Sequence, residues 1–184
     1  MRRAVLGMCI ACAAALALGC TRDSEEDHLA RVQVAGVRID PETSSPVVEL
    51  VENGPRGRSL GIWVGEFEAE SIARAIEHQP SPRPDSHDLL MSVLEEIHGH
   101  VTRTLVTELH GGTYFAVIEL ELRGRSLRVD ARPSDAIAVA LRASAPVLVR
   151  DSLFRDAAIP DDEHSLEIDW RAQPASECRE SAPL

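Results

Sequence analysis

Apolar side chains alternate with polar ones from Arg31 onward. Val32 and Val34, then Val37 and Ile39, precede Asp40-Pro41, a period of two that marks a half-buried strand. Residues 46–52 form a β-branched run, Asn53-Gly54-Pro55-Arg56-Gly57 supplies turn residues, and 58–64 reads as the returning strand of a hairpin. After Gly65 the period lengthens. Ala69, Ile72, Ala73 and Ile76 stand at i, i+3, i+4 and i+7, one stripe of a helix. Pro80, Pro82 and Pro84 impose an extended loop, because proline cannot continue a helix and also restricts its predecessor. A second helix is predicted from 86 to about 98, buried through Leu90, Val93, Leu94 and Ile97. Two long strands, 101–109 and 113–123, flank His110-Gly111-Gly112, and in the second Tyr114, Ala116, Ile118, Leu120 and Leu122 share a face. Gly124 turns into a strand over 125–131. A third helix over 133–144 leads to a strand over 146–150. The pattern predicts an α+β fold, a single compact domain with a mixed or antiparallel sheet, about three main helices and no internal repeat.

The N-terminus reads as an address. Arg2 and Arg3 precede an apolar stretch over 4–18, too short to span a bilayer comfortably and suited to a signal peptide. Leu16-Ala17-Leu18-Gly19-Cys20 then meets a polar run and resembles the lipobox of bacterial lipoproteins, with Ala17 where that motif prefers Leu. The expectation is a leader over 1–19, lipidation at Cys20, a charged tether over 20–30, the domain over 31–160 and an acidic flexible tail over 161–184. Such a protein is held by its lipid at the cell envelope, facing the periplasm or the exterior. Cys9 and Cys12 lie inside the leader, so Cys20 and Cys178 remain and no internal disulfide is expected.

Composition narrows the chemistry. All 19 basic residues are arginine, which excludes a Schiff-base or Walker lysine. A net charge of −11 argues against sequence-blind binding to nucleic acid, and six aromatic residues are few for a stacking platform.

Three segments then carry a resemblance: Ile62-Trp63-Val64-Gly65-Glu66-Phe67-Glu68-Ala69-Glu70-Ser71-Ile72-Ala73, Pro82-Arg83-Pro84-Asp85-Ser86-His87-Asp88-Leu89-Leu90, and Val129-Asp130-Ala131-Arg132-Pro133-Ser134-Asp135-Ala136-Ile137-Ala138. In this order they resemble the hallmark segments of the bifunctional nuclease domain, and the likeness runs from about Val32 to Ile159. Ser86 stands where the family usually has Thr, and Asp85 where it usually has an apolar residue. The resemblance implies a compact α+β fold, action on DNA and RNA, and homo-oligomer formation. The leader departs from it, since many members are intracellular.

The residues themselves allow two readings. Pro133 suits the first helical position and Asp135 the first turn, where a carboxylate complements unpaired amides. Asp85 with Asp88, or Ser86 alone, can cap the second helix, and Glu66, Glu68 and Glu70 can form a solvated first turn. The functional alternative brings Glu66, Asp130 and Asp135 to one divalent ion, Mg or Mn. It makes His87, beside Asp88, the proton carrier, and sets Arg83 and Arg132 on phosphate. Two other classes stay open: a non-catalytic, envelope-tethered interaction module, and a binder of a small anionic metabolite.

Overall fold

The protein is described by a computed structural model over residues 29–156 and 166–167. The leader, Cys20, most of the tether and the greater part of the tail lie outside the described residues. Strands β1 (Leu29–Ile39), β2 (Pro46–Glu52) and β3 (Ser59–Trp63) come first, then helices α1 (Glu66–Ile76) and α2 (Ser86–Glu96). Strands β4 (Gly99–His110), β5 (Thr113–Leu122) and β6 (Arg125–Ala131) follow, and the described chain continues through α3 (Pro133–Ala143), β7 (Val147–Arg150), the short α4 (Leu153–Asp156) and the two-residue β8 (Leu166–Glu167).

Seven strands form one mixed sheet in the order β3-β2-β1-β7-β4-β5-β6, with β8 paired to the end of β1. Every pairing is antiparallel except β7 with β4, which is parallel. That exception follows from connectivity. Helix α3 carries the chain from the β6 edge back to the middle of the sheet, a crossover that a tight turn cannot make. The two long hairpin strands β4 and β5 are closed by Gly111 and Gly112, both at positive φ, which the twist of a two-residue turn requires.

The main helices cover one face of the sheet. Helix α3 packs closest, because Ala136, Ala138 and Ala140 have no bulk to hold it away. It divides the core in two. Ile137, Ala138 and Ala140 pack with Val48, Leu50, Leu60, Ile72 and Val149, whereas Ala136 and Val139 pack with Leu94, Val101, Ala116 and Ile118. At roughly 25 cal/mol per Å² of apolar surface removed from water, this double burial makes α3 the helix on which the others depend.

Helix α2 departs from the expectation. Of its four predicted core residues only Leu94 is buried. Leu90, Val93 and Ile97 are 40%, 47% and 39% exposed. The reason is position: α2 packs chiefly against α3 and β4 at the side of the helical layer, and only Leu94 and Met91 join the cluster that holds Ala116 and Ile118 of β5. Its apolar stripe is broader than the surface it meets.

Candidate functional site

The N-terminal ends of α1, α2 and α3 approach one another, and polar side chains fill the junction. Each arrives there for a local reason. Asp85 caps α2: its carboxylate accepts from the Asp88 backbone N–H at 2.9 Å, and Asp88 accepts from the Asp85 N–H at 3.0 Å. This is the reciprocal capping box, and it chooses Asp85 over Ser86 as the cap. It also turns His87, the second residue of α2, inward toward α1 and α3. Pro133 opens α3, placing Arg132 at the N-cap and Asp135 in the first turn.

Ser71, in the middle of α1, is the inner hub. Its hydroxyl lies 2.6 Å from Asp85 Oδ2 and 2.9 Å from His87 Nδ1, and it accepts from Arg142 Nη2 at 3.0 Å. Arg142, on the last turn of α3, also donates to Asp85 at 2.8 Å and to Asp88 at 2.7 Å. One guanidinium thus ties all three helices together.

The outer half faces solvent. His87 Nε2 stands 3.2 Å from Asp135 Oδ1. Arg132 grips Asp135 with two parallel bonds of 2.8 and 2.9 Å, and its Nη2 also reaches Glu68 at 2.8 Å. Glu68 can fold back because its neighbour is Gly65; a Cβ there would collide with its carboxylate. Arg132 is 66% exposed, against 13% for both His87 and Arg142. Behind the inner half, a cleft of about 660 Å³ between the end of α1, the proline loop and the end of α3 is lined by Arg74, His78, Asp85, Asp88 and Arg142, among others.

The electrostatics follow from these contacts. Burial pushes the Asp85 carboxyl up, but the Ser71 hydroxyl, the Asp88 amide and the Arg142 charge outweigh it and hold the group below the usual carboxylate range. Asp135 behaves alike: burial raises it, while Arg132 and His87 pull it lower overall. Asp135, followed by Glu68, keeps Arg132 protonated more firmly than a free guanidinium. The sign for stability is therefore fixed. Both carboxyls have folded values below the ordinary 3.8, so their contribution is complete above that pH and is lost as pH falls through the lowered values. Melting temperature between pH 6 and 2 is expected to hold down to about pH 4 and then drop steeply, and Asp85→Asn should flatten the drop. An unchanged acid limb in that variant contradicts the assignment.

The structure places the expected site residues unequally. His87, Asp135 and Arg132 come together. Asp88 closes the capping box from the third helical position and pairs with Arg142, with both oxygens occupied. Arg83 is exposed in the loop before α2. Glu66 is exposed and reaches none of these groups; Glu68 is the α1 acid that joins the cluster, two residues and about 200° further round the helix. Asp130 pairs with Val117, while Ala116 and Ile118 beside it point under the helices. Asp130 therefore projects from the opposite face of the sheet, away from Asp135.

A divalent ion does not fit what is gathered. Among the described residues no group of three or more His, Cys, Asp and Glu side chains is placed to hold a metal ion. The acids that do converge have their lone pairs taken by arginines and amides, which leaves no open negative pocket of the kind a hard cation selects. Sequence reasoning also missed Ser71 and Arg142. A serine beside Ile72 on the buried side of α1, and an arginine seven residues after Asp135 on α3, were the available signals.

Comparison with known proteins covers the stretch of chain that holds this cluster. The model of the bifunctional nuclease domain matches residues 49–162, more than half of the chain. Uncharacterized proteins from two strains of Mycobacterium tuberculosis, CDC 1551 / Oshkosh and ATCC 25618 / H37Rv, are each 34% identical over 137 residues, covering 73% of this chain and 80% of theirs. The family points to a nuclease-like function and to interaction with nucleic acid. Because the matched span runs from β2 past β7 and contains every residue of the polar junction, the chain belongs to the bifunctional nuclease domain family.

Proposed function

We propose that the domain hydrolyses phosphodiester bonds in DNA or RNA, with Arg132 holding the phosphate and His87 carrying the proton. One observation carries this reading. His87 Nε2 and Arg132 Nη2 meet at the same oxygen, Asp135 Oδ1, at 3.2 and 2.9 Å. A guanidinium fork suits the paired oxygens of a phosphate as well as those of a carboxylate. Arg132 is exposed enough to exchange one for the other, and Arg83 supplies a second cation from the loop ahead of α2. In this reading water attacks phosphorus and the bond to the leaving oxygen breaks. His87 gives its Nε2 proton to that oxygen, the proton of the water passes to solvent, and the ring recovers a proton from solvent to complete the cycle. Ser71 at Nδ1 orients the ring, and Asp135 holds the Nε2 proton until the substrate takes its place. Ser71, Asp85, Asp88 and Arg142 position the helix that bears the ring.

The test is incubation of the purified protein with labelled single- and double-stranded DNA and RNA, with magnesium, with manganese and with chelator. Loss of substrate is expected. Glu66→Ala and Asp130→Ala should keep the activity, since neither side chain reaches Asp135; its loss in either variant makes that acid part of the machinery and overturns the roles assigned to His87 and Arg132. The second reading, a non-catalytic interaction module, is favoured by the exposed apolar flank of α2. It requires every substrate to survive in every metal and at every pH.

A further inference from the structure

Phe67 does nothing for the fold. It is the second residue of α1, about 160° round the helix from the buried Ala69, and it is 84% exposed. A ring left in water removes no apolar surface from it. Its neighbours, however, are those of the polar junction. Ser71, whose hydroxyl lies 2.9 Å from His87 Nδ1, stands one turn further along the same side of α1. Glu68, the next residue, reaches Arg132 at 2.8 Å. Helical side chains lean toward the N-terminus, so the ring rises at the open end of the junction, where Arg132 also meets solvent. The acids around it are largely neutralised. Glu68 pairs with Arg132 and Glu70 with Arg74, which leaves Glu66 as the one acid of this helix start without an ion pair among the described residues.

We infer that Phe67 stacks an unpaired base of the strand whose phosphate Arg132 holds, an assignment that rests on the phosphodiester reading of this junction. The face of an aromatic ring attracts any nucleobase, and stacking tolerates sequence because every base has such a face. One ring serves one base, so a chain with six aromatic residues has enough. The net charge of −11 gives the stack its importance: with few cations to offer the backbone, affinity has to come from contacts other than charge. A base inside a duplex is already covered on both faces, and only an unpaired one can lie on the ring. A bilayer or a protein partner would need a contiguous apolar patch, whereas Phe67 stands between Glu66 and Glu70. Phe67 is thus a specificity-determining residue, selecting strands with a free base beside the phosphate to be cut.

The test compares the full chain with Phe67→Leu and Phe67→Trp on labelled oligoadenylate, as DNA and as RNA, on the same strand in a duplex, and on an oligomer of abasic sugar phosphates. Phe67→Leu keeps an apolar side chain but loses the ring. It should raise KM on the single strand by about tenfold, with kcat and melting temperature unchanged. Phe67→Trp should restore or improve on the native KM. On the abasic oligomer and on the duplex the three proteins should behave alike. A KM that does not move in Phe67→Leu, or moves as far on the abasic oligomer or the duplex, overturns the stacking role and leaves hydrolysis at the junction standing. If the native chain cuts nothing, hydrolysis fails, and fluorescence anisotropy of the same labelled oligomers decides the stacking role separately. Kd in the order Trp, Phe, Leu from tight to weak, seen only with unpaired bases, supports it; equal Kd values or no binding overturn it.

Discussion

Arg142→Met is expected to cost about 2–4 kcal/mol of folding stability, the largest single effect at the polar junction. The guanidinium is 13% exposed and donates to Ser71, Asp85 and Asp88, which belong to α1, the N-cap of α2 and the first turn of α2. Methionine keeps the aliphatic volume but leaves two carboxylates facing each other without a cation. The figure is set below the cost of breaking a fully buried pair because Asp85 and Asp88 are 27% and 33% exposed and water screens part of the loss. Urea unfolding measures it, and the melting temperature should fall by roughly 10 °C. Adding Asp85→Asn should cost less than the sum of the two changes, since it removes one of the stranded charges. Strict additivity means that Arg142 does not hold the junction as described.

His87→Gln should lower kcat for phosphodiester hydrolysis by about 10²- to 10⁴-fold, the usual contribution of a positioned proton carrier. Glutamine can still donate toward Asp135, so the cluster keeps its shape, and unfolding should shift by only about 1 kcal/mol. KM should change little. Arg132→Met is the contrasting variant: it removes the phosphate contact and should raise KM first. The two profiles separate chemistry from binding. A His87→Gln enzyme with full kcat, or one whose activity falls only in proportion to its folded fraction, reduces His87 to a structural hydrogen-bonder between Ser71 and Asp135.

The hairpins and helices were legible because each repeats a local rule. The strand over 46–52, the Gly111-Gly112 turn and the helix opening at Pro133 depend on near neighbours in the chain, and the structure keeps all three. The pairing of Glu70 with Arg74, one turn apart on α1, is equally local. Burial was less legible. The periodicity of α2 marks which residues share a side, but it cannot say how much sheet lies beneath them, so Leu90, Val93 and Ile97 were assigned to a core that ends before it reaches them.

The site divides in the same way. His87, Arg132 and Asp135 could be singled out because they sit at helix starts, where side-chain chemistry meets unpaired backbone amides. Glu66 and Asp130 join them by residue type and by place at a strand end, which is not enough to bring side chains together. Whether acids converge depends on helical phase and on the alternation of a strand between its two faces. A shift of two residues hands the role to Glu68, and one step along β6 sends Asp130 to the other side of the sheet. Ser71 and Arg142 stand 71 residues apart and meet only because α1 and α3 pack side by side. Patterns of period two and period 3.6 are properties of neighbouring residues, so secondary structure, fold class and family membership could be read along the chain. Contacts between distant side chains are made by packing, which alone turned a scatter of arginines and acids into one arginine-tied junction and left the α2 flank uncovered.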